Sequence, residues 1–229
     1  MTKTNEQKDR SYRNYKTYIT LLLTASTIFL AALPLLAAGE LDGLKQKYGE
    51  MQSVEAQFRQ KIFIAALKRE REMRGEFYYK RSKGFLWKYT EPKEKLFLYD
   101  GTVVWQAEEE KPFVMRTRVD KEKMGGTFLD LIEDVTRLDR YFEVKKVTKE
   151  KDLTGITLIP KKEGTIQAAR MWVDGQSLIR KMEITEITGN VNTIEFSSIR
   201  INRPLKESLF VFEPGKKEIM EGRGLNGAP

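Results

Sequence analysis

From Val54 onward the apolar residues fall on every second position. Val54, Ala56, Phe58, Ile62, Ile64 and Ala66 share one parity, and Glu55, Gln57, Arg59 and Lys61 share the other. This alternation predicts a long strand with one buried face and one wet face. The charged run 68–74 predicts an exposed bend or edge. Gly75, Phe77 and Tyr79 then alternate with Glu76, Tyr78 and Lys80, predicting a second strand. Residues 80–105 read as three short strands, separated by Glu91-Pro92 and by Asp100-Gly101, with Phe85, Trp87, Tyr89, Phe97, Tyr99 and Trp105 at alternating positions. A sheet this aromatic either buries its rings in a core or lines a cavity for something apolar.

Two further hairpin signals follow, Asp174-Gly175 and Gly189-Asn190. Such pairs supply the positive φ of a type I′ turn and so predict antiparallel neighbours. Strands at 113–119, 141–147 and 153–160 bring the total to about ten or eleven in up-and-down order, enough to curl a small domain into a barrel or a strongly bent sheet. The fold class is mainly β. Two segments break the period of two. Leu41, Leu44, Tyr48 and Met51 recur at helical spacing and predict a short helix that plugs the end of the sheet. After Gly125-Gly126, Thr127 begins a helix with Asp130 in a capping-box-like position, and Phe128, Leu131, Ile132 and Val135 form its apolar stripe. That helix is either a glycine-hinged lid or a permanent cover of the sheet. A helical turn is predicted at 204–209, and the Gly-rich end, 219–229, as a frayed tail.

Composition narrows the chemistry. The 229 residues hold neither cysteine nor histidine. Disulfides, thiolate or histidine metal sites, histidine bases and the Ser-His-Asp triad are therefore excluded. No phosphate-loop or dinucleotide fingerprint is present. The carboxylate pairs Glu108/Glu110 and Glu133-Asp134 read as solvated surface. No catalytic residue, metal or cofactor is expected, and the chain does not read as an enzyme.

The N-terminus carries Lys3, Lys8, Arg10, Arg13 and Lys16, then an apolar run from Ile19 to Ala38 closed by small residues. This is the layout of a secretory signal peptide, residues 1–38, with an uncleaved membrane anchor as the alternative. Either way the remainder lies outside the cytoplasm. The formal charge is +8; without residues 1–38 there remain 36 basic and 31 acidic residues, a net of +5. That excess is spread along the chain with no nucleic-acid motif, so no nucleic-acid partner is expected.

Several segments in a fixed order resemble the periplasmic lipoprotein carrier family LolA. They are Ser53-Val-Glu-Ala-Gln-Phe-Arg-Gln, Gly75-Glu-Phe, Lys80-Arg-Ser-Lys-Gly-Phe-Leu-Trp-Lys-Tyr, Glu91-Pro, Leu98-Tyr-Asp-Gly, Val104-Trp, Gly126-Thr-Phe-Leu-Asp-Leu-Ile and Leu209-Phe-Val-Phe-Glu-Pro-Gly. The resemblance covers residues 39–218. It implies an unclosed antiparallel barrel covered by short lid helices. The implied cargo is acylated lipoproteins, received from an inner-membrane ABC-type releasing complex and passed to an outer-membrane receptor or membrane. It also implies a soluble, monomeric periplasmic protein, since the receptor relative needs an anchoring cysteine that is absent here. On this basis Phe58, Phe77, Trp87, Leu98, Trp105 and Met115 are expected to line the lipid cavity. Phe128, Leu131, Ile132 and Val135 would close it, Arg81 would hold the lid, and Phe85 would dock a partner at the mouth. Two positions depart from the family pattern: Ser82 stands where proline often follows the arginine, and a single proline, Pro214, precedes Gly215-Lys216-Lys217. The same resemblance leaves two other readings open, a carrier of other lipids or glycolipids and a lipid-sensing periplasmic regulator.

Overall fold

A computed structural model describes residues 33–119 and 135–222, with the backbone alone for 33–40. The chain divides into two compact units, Met1–Leu41 and Asp42–Pro229. Of the first, the described part is the opening of helix α1, which runs Leu33–Glu50 and so starts well before the predicted Leu41. Among the described residues no helix is long and apolar enough to cross a membrane.

The described part of the second unit is one twelve-stranded sheet. Its strands are β1 (Ser53–Ile64), β2 (Arg69–Lys80), β3 (Gly84–Glu91), β4 (Lys95–Tyr99), β5 (Val103–Glu108), β6 (Phe113–Arg118), β7 (Phe142–Glu150), β8 (Leu153–Pro160), β9 (Ile166–Asp174), β10 (Ile179–Glu186), β11 (Val191–Ile201) and β12 (Glu218–Glu221). The spatial order is β12-β6-β5-β4-β3-β2-β1-β11-β10-β9-β8-β7. Strand β1 pairs with both β2 and β11, which joins the two runs of hairpins into one curved surface. The edges β12 and β7 remain apart in that order, so the barrel is unclosed, as expected.

Four local features differ from the sequence reading. The charged run from Arg69 is part of β2: it pairs residue by residue with β1, Arg69 opposite Ile64 and Arg74 opposite Arg59, so backbone pairing overrides its polarity. Strand β12 lies where a frayed tail was expected from 219, and it pairs in parallel with β6, outside the up-and-down order. The predicted helical turn near 204–209 is a 3-10 turn at Glu207–Phe210. Finally, the hairpins are not type I′, because a single positive φ occurs in each, at Gly101, Ser177 and Gly189. In two of them an aspartate does the work instead. Asp100 Oδ1 accepts from the backbone N–H of Thr102 and Val103, and Asp174 Oδ1 from those of Gln176 and Leu178.

Both faces of the β2–β5 region are covered with apolar side chains. On the outer face Leu86, Leu98 and Phe210 form a buried cluster, with Tyr78, Leu96, Trp105, Leu205, Leu209 and Phe212 packed against it. The segment 205–212 thus lies across the outside of the sheet, and Phe212 stacks on Trp105 at 4.9 Å. Glu207 fixes the start of this cover through ion pairs with Lys80 and Lys83, whose hydrogen bonds hold its carboxyl below the usual range.

Candidate functional site

The inner face of β1–β4 and β11 carries a continuous aromatic floor. The register sets it: Ala56 opposes Phe77, Phe77 opposes Trp87, Trp87 opposes Phe97, and Phe58 opposes Phe196. Directly opposed residues share a face. Phe77 and Trp87 meet at 4.8 Å, Phe58 and Trp87 at 5.0 Å, and Phe196 lies 5.9 Å from Phe77. Phe85 extends the floor, stacked parallel to Phe97 at 6.3 Å and tilted on Tyr99 at 5.4 Å. Tilted and edge-on pairs at these spacings suit the ring quadrupole, and each contributes about 0.5–1.5 kcal/mol beyond its area.

Of the predicted cavity residues, Phe58, Phe77 and Trp87 are in mutual reach on this face. Met115 shares the face through Gln106, which opposes both Phe97 and Met115. Leu98 and Trp105 do not belong with them. They oppose each other, and Leu98 opposes Leu86, so both point outward beneath the 205–212 segment. The alternation holds within β3 and β4, whereas Ala66, read as part of the first strand, lies in a 3-10 turn, Ala65–Leu67; the face depends on the β3–β4 register, which places Phe97 rather than Leu98 beside Trp87. Phe85 is also corrected. It is 1 % exposed among other rings, so it is part of the floor and not a contact at an open mouth. Phe128, Leu131 and Ile132 lie outside the described residues. Val135 is buried and opens a 3-10 turn, Val135–Arg137, followed by the one-turn helix α2, Leu138–Tyr141.

Helix α1 ends where Arg81, in the turn between β2 and β3, reaches it. Leu44 and Met51 are fully buried. The Tyr48 hydroxyl accepts from the Ile179 backbone N–H at 3.1 Å, and burial pushes the phenol up to about 12. Lys45 pairs with Asp139 at 2.8 Å, and that hydrogen bond lowers the Asp139 carboxyl below its ordinary range. Arg81 sits where this helix ends. Its Nε donates to Met51 O at 2.9 Å, and its Nη2 to Tyr48 O at 3.0 Å and Gly49 O at 2.5 Å. A helix C-terminus leaves carbonyls without partners and carries partial negative charge, so a planar cation with several donors satisfies both needs at once.

At the upper end a polar chain crosses the face. Tyr89 Oη donates to Gln60 Oε1 at 2.8 Å, and Gln60 Nε2 donates to Asn192 Oδ1 at 2.9 Å. Tyr89 can reach β1 across β2 because Gly75 stands between them, opposite both Phe58 and Tyr89. A Cβ at Gly75 would come within 2.0 Å of Lys88 O, so the close approach of β2 and β3 there requires glycine. The sequence carries a sign of this chain: Gln60 is a polar residue on the apolar parity of β1.

The profile of the family described as "Outer membrane lipoprotein carrier protein LolA" matches residues 49–213. An outer-membrane lipoprotein carrier protein from Chromobacterium violaceum is 28% identical over 196 residues, spanning 85% of this chain and 93% of its own. One from Xanthomonas campestris pv. campestris is 27% identical over 197 residues, spanning 85% and 90%. Among solved structures, an uncharacterized conserved protein from Thermus thermophilus has the same fold, with a TM-score of 0.53 and 9% identity over 81% of this chain and 99% of that one.

Proposed function

We propose, since this chain belongs to the LolA family of outer membrane lipoprotein carrier proteins, that it is a periplasmic carrier. It takes up the acyl chains of lipoproteins released from the inner membrane and delivers them to the outer membrane. One observation carries this reading: six rings, Phe58, Phe77, Phe85, Trp87, Phe97 and Phe196, share one face of an unclosed sheet.

The physical problem is the acyl chain. Each buried methylene contributes roughly 0.8 kcal/mol, so a chain of about sixteen carbons resists transfer to water by about ten kcal/mol. A protein bearing such chains needs a hydrocarbon-compatible surface to cross an aqueous space. It must also let go at the far side. An apolar cover that rests on the floor when no cargo is present would do both, because cargo then replaces contacts of similar kind and net affinity stays moderate. The sequence's candidate for that cover is the apolar stripe Phe128, Leu131, Ile132 and Val135, and Arg81, fixed to the end of α1, is the candidate latch. An ABC-type releasing complex and an outer-membrane receptor or the membrane itself are the partners on either side. The N-terminal segment directs the export.

The test is delivery. Purified protein, incubated with inner membranes carrying a radiolabelled triacylated lipoprotein and then with outer membranes, is expected to move label into the second fraction in proportion to its concentration. Release of label into solution without transfer, or none at all, contradicts the reading.

A further inference from the structure

The chain of Tyr89, Gln60 and Asn192 is polar where its surroundings are apolar. The three residues are 3, 0 and 5 % exposed. Register puts Gln60 and Asn192 on the floor's face, since Gln60 opposes Ile194 and Asn192 opposes both Ile62 and Ile184. A side-chain amide has two N–H donors. Gln60 spends one on Asn192, and the Asn192 amide nitrogen, which is not among the fully buried atoms that lack a partner, donates to no described residue. Burying amide donors costs free energy unless an acceptor reaches them. Leucine or methionine would fill these positions without that cost. Donors kept there suit an acceptor that arrives with the ligand.

The position along the strands points to the same ligand. Below the chain lies the aromatic floor. At the same end, a recess of about 690 Å³ is lined by Tyr89 together with charged side chains, among them Arg71, Glu91, Glu94, Lys95 and Glu108. Lys95 Nζ stands 5.7 Å from the centre of the Tyr89 ring. Apolar floor, neutral hydrogen-bonding rung and a charged recess beside Tyr89 therefore follow one another. A lipidated polypeptide has the same order: hydrocarbon, ester or amide carbonyls, polar chain.

Resting on the carrier reading above, we propose that Gln60 and Asn192 bind the carbonyl oxygens that join acyl chains to the cargo, with Tyr89 as the residue that positions the Gln60 amide. The amide N–H groups donate to the incoming carbonyl. Tyr89, by donating to Gln60 Oε1, fixes the other end of that amide toward Asn192 and the interior. Burial raises the Tyr89 phenol above its ordinary range, so it remains a neutral donor at physiological pH. Each such hydrogen bond is worth about two- to tenfold in affinity.

Two probes separate the carbonyls from the hydrocarbon: a fluorescent peptide bearing a dipalmitoylglyceryl group through ester bonds, and the same peptide with ether-linked hexadecyl chains. The full chain is expected to bind the ester probe about tenfold more tightly than the ether probe. Gln60→Met/Asn192→Leu is expected to bind both as the native chain binds the ether probe, and Tyr89→Phe to lose part of the preference. Equal affinity of the native chain for both probes overturns the carbonyl site and leaves the carrier reading standing. Binding of neither probe overturns both. The comparison within the native chain decides the question even where a variant does not fold.

Discussion

Trp87→Ala is expected to lower the free energy of unfolding by about 3–5 kcal/mol, the range for truncating a buried tryptophan or phenylalanine. In a urea titration this is a fall in midpoint of about 1–2 M at unchanged slope. The magnitude follows from position. Trp87 is 2 % exposed and packs on Phe58, Phe77 and Phe196, so its loss leaves a gap between three rings that the strand backbone cannot close. Trp87→Phe keeps most of the apolar contact and is expected to cost less. A loss below about 1 kcal/mol for the alanine variant would mean that the ring faces open space rather than a packed floor. On the proposed carrier reading, the variant is also expected to bind acylated cargo more weakly, because the removed ring belongs to the aromatic floor.

Arg81→Leu removes three hydrogen bonds to the end of α1. Bonds from a charged donor are worth about 1.5–3 kcal/mol when a partner is left without a substitute. Because water can reach part of this site, about 2 kcal/mol in total is expected. If Arg81 secures the cargo-free arrangement, its loss destabilises that state relative to the loaded one. Uptake is then retained and release to acceptor membranes slows, by up to about thirtyfold for 2 kcal/mol. Arg81→Lys keeps the charge but not the planar fork, so an intermediate rate is expected. A release rate equal to that of the native chain, measured by transfer of labelled lipoprotein, would remove Arg81 from the mechanism.

Much of this fold is legible in the residues because the driving signal is local. Alternation from Val54 to Arg59 marks β1, and Asp100 and Asp174 mark turns through side-chain bonds to the backbone only a few residues away. Registers across longer distances are less so. Leu98 and Trp105 lie at equivalent positions of one hairpin and do pair with each other, but which face they take is settled only where β4 meets β3. The competing apolar cover from Leu205, Leu209, Phe210 and Phe212 comes from about a hundred residues downstream. No local pattern announces it. The same holds for the parallel pairing of β12 with β6, which depends on a distant edge and not on its own short sequence, Glu218–Glu221. The resemblance picked out Arg81, yet its partners at Tyr48, Gly49 and Met51 are backbone carbonyls, which leave no trace in side-chain identity. Gln60 is the reverse case: a polar residue on the buried parity is visible in the sequence, whereas its link to Tyr89 and Asn192 needs the strand order.

Adjacent positions on β4 offer the sharpest test of the apolar floor as the cargo surface. Phe97 faces inward beside Trp87, and Leu98 faces outward under the 205–212 cover. A photo-crosslinking phenylalanine analogue placed at position 97 is expected to form an adduct with the acyl chain of bound lipoprotein, and the same analogue at position 98 to form none. Adducts at 98, or at neither position in a chain that still binds cargo, would contradict the account.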